Sequence, residues 1–168
     1  MKKSAFFLLV ILSITFYSCE EDLIDLGGGY KLGFTGHSRN AYNSSIIQPG
    51  RGGLLVEASV LDYAFDSIFI IAIQRPWSYP IPNWFELNYY EKRKEMDKIT
   101  FRQYWIINKA EEGKFIYIED RKYDSRSQSS NVYGPFQREE YLQKRKELGV
   151  PESLVLKEDA KDDRKKAR

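Results

Sequence analysis

The sequence predicts an α+β fold, a mainly antiparallel β-sheet of roughly five to seven strands with about two packed helices. Residues 68–73 are apolar almost throughout and rich in isoleucine, which is typical of a central strand covered on both faces. Residues 30–34 alternate apolar and polar side chains, as a half-buried strand does. Residues 137–148 space apolar and amphipathic side chains at helical intervals and are followed by Gly149 and Pro151, which end helices.

Turn signals divide the predicted strands from one another. The segment Pro49-Gly50-Arg51-Gly52-Gly53 is a strong turn, and Glu112-Gly113 turns a hairpin. The stretch at residues 120–131 is polar and rich in serine, so we expect a mobile loop there. The predicted strands, in chain order, cover residues 30–34, 40–48, 54–63, 68–73, 101–107, 115–118 and 132–136.

Two helices are predicted from capping residues and periodicity. The first covers residues 84–98, where Asn83 can cap the first turn and Glu86 carries a negative charge that suits the helix dipole. The second covers residues 137–148. Both are expected to pack on one face or one end of the sheet.

The N-terminal segment has the order of a bacterial lipoprotein signal peptide over residues 1–18. Two lysines precede an apolar run in residues 5–16, which is shorter than the roughly twenty residues that a membrane-spanning helix needs. Residues 16–19 resemble a lipobox, with Ser18 as the small residue before the cut and Cys19 as the lipid acceptor. The alternative is an ordinary secretory signal in which Cys19 is incidental.

Lipidation of Cys19 would make the chain a membrane-anchored lipoprotein of the bacterial cell envelope. Two or more acyl chains, such as palmitate, give a stable anchor, because each buried methylene contributes about 0.8 kcal/mol. Cys19 is the sole cysteine, so we expect no disulfide within the chain. The acidic residues 20–22 indicate an outer-membrane protein exposed at the surface, and a periplasm-facing position is the alternative.

Composition also predicts the domain organisation. Residues 19–29 are acidic, end in three glycines, and are predicted to form a flexible tether. Residues 30–156 are predicted to form a single α+β domain, which is long enough for one self-sufficient core. Residues 157–168 are almost wholly charged and are predicted to be a disordered tail.

The charge balance argues against a nucleic-acid partner. The chain has 26 Lys and Arg against 24 Asp and Glu, and two of the lysines belong to the signal peptide. The mature chain therefore carries no excess of positive charge that could hold a phosphate backbone.

No motif predicts an enzyme, and we expect no cofactor and no metal ion. His37 is the sole histidine and has no cysteine partner for a metal site. Glu57, Asp62 and Asp66 lie close in sequence, but a solvated sheet edge and a turn explain them better than a pair of catalytic carboxylates.

The loop at residues 75–83 and the residue after it offer the best candidate for partner binding. Three prolines limit the freedom of this loop, and Trp77, Tyr79 and Trp84 bring aromatic faces that can stack on a sugar ring or fill a protein pocket. The structural alternative, which we favour, is that both tryptophans cover the apolar face of the sheet.

Three short motifs resemble a family of small bacterial lipoproteins. They are Tyr104-Trp105-Ile106-Ile107-Asn108-Lys109, Tyr133-Gly134-Pro135-Phe136, and a helix that ends in Leu148-Gly149-Val150-Pro151. The family is grouped as a domain of unknown function, number 3997, and the resemblance covers about residues 28–156, with a longer stretch here between Lys109 and Tyr133. It implies no catalytic residues. Its motifs place Tyr104 and Trp105 on opposite faces of a strand and use the Gly-Pro turn to steer the last helix across the sheet.

Three functions from different classes are compatible with the sequence. We prefer a non-enzymatic envelope lipoprotein that binds another protein or contributes to envelope organisation. The second is an immunity or inhibitor lipoprotein that blocks a toxin or protease at the envelope. The third is a glycan-binding or hydrolytic module that uses the loop between Trp77 and Trp84.

Overall fold

The computed structural model describes residues 23–34, 44–48, 53–57, 59–76, 81–83, 86–120 and 124–157. Several features singled out from the sequence lie outside these ranges. They are the signal peptide with Cys19, His37, the aromatic residues Trp77, Tyr79 and Trp84, and the charged residues 158–168.

Ten strands and two helices form within the described residues. In chain order they are β1 (Ile24–Gly27), β2 (Tyr30–Phe34), β3 (Ser44–Gln48), β4 (Gly53–Val56), β5 (Val60–Phe65), β6 (Phe69–Gln74), α1 (Tyr89–Lys98), β7 (Gln103–Asn108), β8 (Phe115–Asp120), β9 (Asp124–Ser129), β10 (Val132–Phe136) and α2 (Arg138–Leu148). All pairings are antiparallel. The predicted α+β class is therefore confirmed, with more strands than expected.

The strands form three sheets. The first sheet has the order β1-β2-β3-β4, and the central sheet has the order β10-β7-β6-β5. The third is the two-stranded hairpin of β8 and β9. Each pairing joins two strands that are adjacent in the chain, except that β10 pairs with β7.

The central sheet separates two apolar cores. Its inner strand β6 is buried at every position, as the sequence predicts. Ile70 and Ala72 belong to a core shared with Leu26 and the rest of the first sheet. Ile71 and Ile73 belong to a second core shared with α2. Because side chains alternate across a strand, one continuous apolar run covers both faces and produces three layers.

Strand β7 places Tyr104 and Trp105 on opposite faces, as expected from its motif. The indole of Trp105 lies in the first core and donates its Nε1–H to Oε1 of Gln74 at 2.7 Å. Tyr104 lies in the second core and stacks on Tyr141 of α2, with 4.8 Å between the ring centroids. The helix therefore packs across the central sheet through this aromatic pair.

Helix α2 begins and ends where local chemistry predicts. The backbone N–H of Gln137 donates to Oε2 of Glu140 at 3.0 Å, which satisfies a donor at the helix start. Gly149 takes a left-handed conformation with φ of 70°. The N–H of Val150 then returns to the carbonyl of Arg145 at 2.9 Å, which closes the C-terminal end.

The segment after α2 closes the second core. Val150, Leu154 and Leu156 are all buried there. Arg145 holds the segment in place, because its Nη2 donates to the carbonyls of Pro151 at 2.8 Å and Leu154 at 2.7 Å. The packed fold extends at least to Leu156.

Strand β1 corrects the predicted tether. Residues 24–27, which composition assigns to a flexible tether, form a strand in which Ile24 lies opposite Leu32 of β2, and Leu26 is fully buried. Glycines 27, 28 and 29 have φ values of 77°, 65° and 80°. A residue without a Cβ takes such values readily, so the three glycines build a tight hairpin turn. The fold therefore begins before residue 30.

Helix α1 begins at Tyr89 rather than at residue 84. The expected cap, Asn83, has φ of 57°, whereas a capping residue needs an extended backbone. Asn88 has φ of −74° and ψ of 173°. Its side chain accepts from the N–H groups of Tyr90 at 3.0 Å and Glu91 at 3.1 Å. Both asparagines precede a glutamate by three residues, and the backbone conformation decides between them.

Two segments of the central part of the chain also differ from prediction. The polar stretch expected to be a loop contains β9, which pairs along its whole length with β8. The single strand expected over residues 54–63 is instead two strands, because β4 ends at Val56 in the first sheet and β5 begins at Val60 in the central sheet. The sequence did not indicate this crossing between sheets, because both strands are apolar and together resemble one continuous strand.

Gly134 and Pro135 lie within β10 instead of forming a turn before α2. The peptide bond between them is cis, and the register with β7 shifts at this point. Gly134 has φ of 132°, and a Cβ there would lie 2.7 Å from the carbonyl oxygen of Tyr104 and 2.9 Å from Cε3 of Trp105. This close approach of two strands requires glycine.

Candidate functional site

An open groove lies beside the C-terminal end of α1. It has a volume of about 270 Å³. Its lining combines the end of the predicted binding loop with the last turn of α1 and the residues that follow it: Ile81, Pro82, Glu95, Lys98, Ile99, Thr100 and Phe101. The groove is therefore built by segments that lie up to twenty residues apart in sequence.

Helix α1 is held at its inner face and at its end. Met96 is buried, and Ile99 continues this contact beyond the last turn. Asp97 forms an ion pair with Arg75, at the end of β6, with 3.4 Å between Oδ1 and Nη1. The position of the groove is thus tied to the central sheet.

The chain between α1 and β7 is fixed by hydrogen bonds. The N–H of Ile99 donates to the carbonyl of Met96 at 3.1 Å. Arg102 then donates through Nη1 to the carbonyls of Ile99 at 2.9 Å and Phe101 at 3.1 Å. These bonds present Phe101 at the surface, where 41% of its area is exposed.

The chemistry of the groove suits an apolar ligand group with a polar margin. Ile81, Pro82 and Phe101 supply apolar surface. At the rim, Lys98 Nζ lies 2.6 Å from Oε1 of Glu95. Because this ion pair is exposed, it contributes little to stability, and its charges stay accessible to a ligand. The groove can accept a side chain or a short segment of chain, with hydrogen bonds at one edge.

The structure places only part of the predicted binding loop. Trp77, Tyr79 and Trp84 lie outside the described residues, so neither their burial nor their contact with a partner is tested. Ile81 and Pro82 come from the same loop and line the groove. Phe101 was not singled out from the sequence as a site residue, because a single apolar side chain gives no pattern to detect.

Asp62 and Asp66, two of the three acidic residues considered for catalysis, accept hydrogen bonds from nearby backbone groups. Oδ1 of Asp66 accepts from the N–H groups of Ile68 and Phe69, both at 2.7 Å, and so closes the turn between β5 and β6. Oδ1 of Asp62 accepts from the N–H of Tyr63 at 2.9 Å. Asp66 therefore serves the turn that the sequence predicts for it. In the part of the chain that the structure describes, no three His, Cys, Asp or Glu side chains gather as a metal site requires.

Lys109, the last residue of its motif, bridges the two large sheets. Its Nζ donates to the carbonyl of Leu26 in β1 at 2.7 Å and to the carbonyl of Asp66 after β5. Burial lowers the pKa of Lys109, and the nearby charges of Asp66 and Asp25 oppose that shift. Periodicity could not reveal this role, because the residue lies just beyond the end of β7.

Asn131 is the centre of a buried polar network. Its side chain is fully buried, and Nδ2 donates to the hydroxyl of Tyr30 at 2.7 Å and to the carbonyl of Asn108 at 2.8 Å. Its Oδ1 accepts from the hydroxyl of Ser129 at 2.7 Å. The network joins β2, β7 and the hairpin of β8 and β9, so its role is structural.

Tyr133 forms a polar contact at the surface near this network. Its hydroxyl donates to Oε2 of Glu111 at 2.7 Å. That hydrogen bond, followed by partial burial, raises the pKa of Tyr133 to about 12. The tyrosine is thus a neutral donor at physiological pH, and nothing marks it as a catalytic acid.

The fold and the groove together define a small α+β domain with two stacked antiparallel sheets, a helical layer and one candidate surface for a partner. A family model described as protein of unknown function (DUF3997) matches residues 33–161, and the chain belongs to this family. No curated protein and no solved structure matches the chain. None of the described helices is long and apolar enough to cross a membrane.

Proposed function

We propose that this chain is a lipoprotein of the bacterial envelope, anchored through Cys19, whose domain binds another envelope protein without catalysing a reaction. The observation that carries the binding part is the groove beside α1, with its apolar lining and accessible ion pair. The anchor is supported by the lipobox-like residues 16–19 and by the basic and apolar residues before them.

The occupant that fits the groove is an apolar side chain of a protein partner. A volume of about 270 Å³ is close to the lower limit for small-molecule sites, which run from roughly 300 to 1,000 Å³. An exposed aromatic side chain such as Phe101 is the kind of residue that carries binding energy when a partner buries it. Glu95 and Lys98 can orient backbone groups of the partner at the rim.

The anchor is tested by replacing the lipid acceptor. Cys19→Ala should move the protein from the membrane fraction to the soluble fraction, whereas Ser18→Ala keeps a small residue before the cut and should leave it in the membrane. Mass spectrometry of the wild-type N-terminal peptide should show a lipid-modified cysteine. Membrane retention of Cys19→Ala would sink the anchor proposal.

The groove is tested by photo-crosslinking in intact cells. A photoreactive phenylalanine replaces Phe101, and the matched control replaces Leu142 on α2, since 38% of Leu142 is exposed against 41% of Phe101. We expect a discrete protein adduct from position 101 only, and its loss when Ile81→Asp places a charge in the groove. Equal adducts from both positions, or none from position 101, would contradict the proposal. An adduct of glycan in place of protein would favour the glycan-binding alternative.

A further inference from the structure

The start of β1 sets a short distance between the lipid and the fold. Only residues 20–23 separate Cys19 from Ile24, the first residue of β1. A fully extended chain reaches about 3.3 to 3.6 Å per residue, so Ile24 lies within about 18 Å of the lipidated cysteine. This distance limit rests on the proposed lipid anchor. With that anchor in the membrane, the fold lies close to the bilayer surface.

An apolar tip lies at the turn between β5 and β6. We call residues 65–68 the tip. Phe65 is 43% exposed and Ile68 is 45% exposed, although both are large apolar residues. The tip is rigid, because the carboxylate of Asp66 accepts from two backbone N–H groups and the N–H of Asp66 donates to the carbonyl of Phe69 at 3.0 Å.

The tip is joined to the strand nearest the lipid. Lys109 Nζ donates both to the carbonyl of Leu26 in β1 and to the carbonyl of Asp66 in the tip, so these two oxygens lie within about 5.5 Å of each other. The N–H of Lys109 also donates to the carbonyl of Ile68 at 2.7 Å. The tip therefore moves together with β1 and stays near the anchored end.

The charges at the tip are already engaged within the protein. The ammonium of Lys109 is bound by carbonyls and lies 5.6 Å from the ring centroid of Phe65. The carboxylate of Asp66 is used in the turn, and Oδ1 of Asp25 accepts from the N–H of Gly27 at 2.8 Å. Exposed apolar side chains beside satisfied polar groups match the chemistry of a bilayer interface.

We infer that Phe65 and Ile68 insert into the headgroup region of the membrane that holds the Cys19 lipid. A tether this short gives the tip a high effective concentration at the bilayer, so a weak intrinsic affinity is sufficient for occupancy. Insertion fixes the orientation of the domain, and the lipid and the tip then form two points of contact. The tether keeps the tip close to the bilayer, whereas it does not keep the tip close to any protein partner.

The test measures how deeply the tip enters the bilayer. Lipidation blocks the thiol of Cys19, so Ser67→Cys supplies a single free thiol in the tip for a nitrobenzoxadiazole label. Ser153→Cys, in the exposed turn after α2, is the matched control. The full lipidated protein is reconstituted into vesicles of phosphatidylethanolamine and phosphatidylglycerol that contain spin-labelled lipids. We expect blue-shifted emission and several-fold stronger quenching at position 67 than at position 153.

The outcomes separate this inference from the anchor proposal. If the protein does not co-sediment with vesicles, the anchor proposal fails. If it co-sediments and the label at position 67 is as exposed to water as the label at position 153, only the insertion of the tip is overturned. The pair of changes Phe65→Ser and Ile68→Ser should abolish the extra quenching while the protein stays bound through its lipid. Unchanged quenching in that variant would also overturn the inference.

Discussion

Replacing Gly134 by alanine should be among the most damaging small substitutions in this fold. The new Cβ would lie 2.7 Å from the carbonyl oxygen of Tyr104 and within 3.1 Å of two atoms of the Trp105 ring. Neither the backbone nor the packed indole can move away without a cost in free energy. Such overpacking costs roughly 1 to 3 kcal/mol. The φ of 132° adds conformational strain for any residue with a Cβ, roughly 1 to 3 kcal/mol more.

The two costs together predict that the free energy of unfolding falls by about 2 to 6 kcal/mol. Domains of this size are stable by roughly 5 to 15 kcal/mol, so the loss is a large share of the total. Urea unfolding of the mature chain, made soluble by Cys19→Ala, measures it directly. The melting temperature should fall by about 10 °C, since each kcal/mol corresponds to about 2 to 4 °C in a chain of this length.

Gly149→Ala is the matched control for this prediction. Gly149 also has a positive φ, 70°, but a Cβ there would meet no atom within 4 Å. The free energy of unfolding of Gly149→Ala should therefore fall only by the cost of the left-handed conformation, about 1 to 2 kcal/mol. If both variants lose the same free energy, the close approach of β10 to β7 is not what requires glycine, and the reasoning is refuted.

Two other predictions concern polar contacts. Asn131→Leu leaves the Tyr30 hydroxyl and the Asn108 carbonyl without their amide donor, so urea unfolding should show a loss of about 3 kcal/mol, and a loss below about 1 kcal/mol would contradict the network. The hydroxyl of Tyr133 should titrate at about 12 by NMR of labelled tyrosine, and Glu111→Gln should return it toward 10, the ordinary value. Because the folded pKa lies above the unfolded one, the contact stabilises the fold below about pH 10 and this contribution is lost as the pH rises toward 12. An unchanged titration in Glu111→Gln would show that the negative charge of Glu111 does not contribute to the shift.

The core strands could be predicted because burial leaves a strong trace in the sequence. Strand β6 is apolar at five of its six positions, and β7 carries four consecutive buried residues from Tyr104 to Ile107. A strand buried on both faces needs no alternation, so a run of β-branched and aromatic residues is sufficient to identify it. The end of α2 was equally clear, because Gly149 is followed closely by Pro151.

Strands β1 and β9 could not be predicted, because backbone pairing, and not an apolar composition, makes these segments strands. β9 has the sequence DSRSQS, and only its register with β8 makes it a strand. β1 ends at three glycines, which composition associates with flexibility. The same freedom to take positive φ lets those glycines form a tight turn, and only the burial of Leu26 distinguishes the two outcomes.

The groove combines a segment that the sequence singled out with a segment that it did not. Within the described residues, the proline-rich loop contributes Ile81 and Pro82 to the groove. Its opposite wall comes from Ile99 and Phe101, after a helix whose start was predicted five residues too early. The burial of Met96 and Ile99 and the ion pair of Asp97 with Arg75 hold that wall in position, and no local pattern encodes such tertiary contacts.

Lys109, just past the end of β7, links the first sheet to the central sheet through its ammonium group. A methionine there could fill similar space, but the carbonyls of Leu26 and Asp66 would lose a charged donor. Burial disfavours the ammonium, so the fold retains the charge at a cost and gains a polar link between the first sheet and the central sheet. The apolar core already joins these sheets, but it does not fix how the end of β1 meets the tip. Because β1 is the described strand nearest Cys19 in the chain, that link ties the strand next to the proposed anchor to the central sheet.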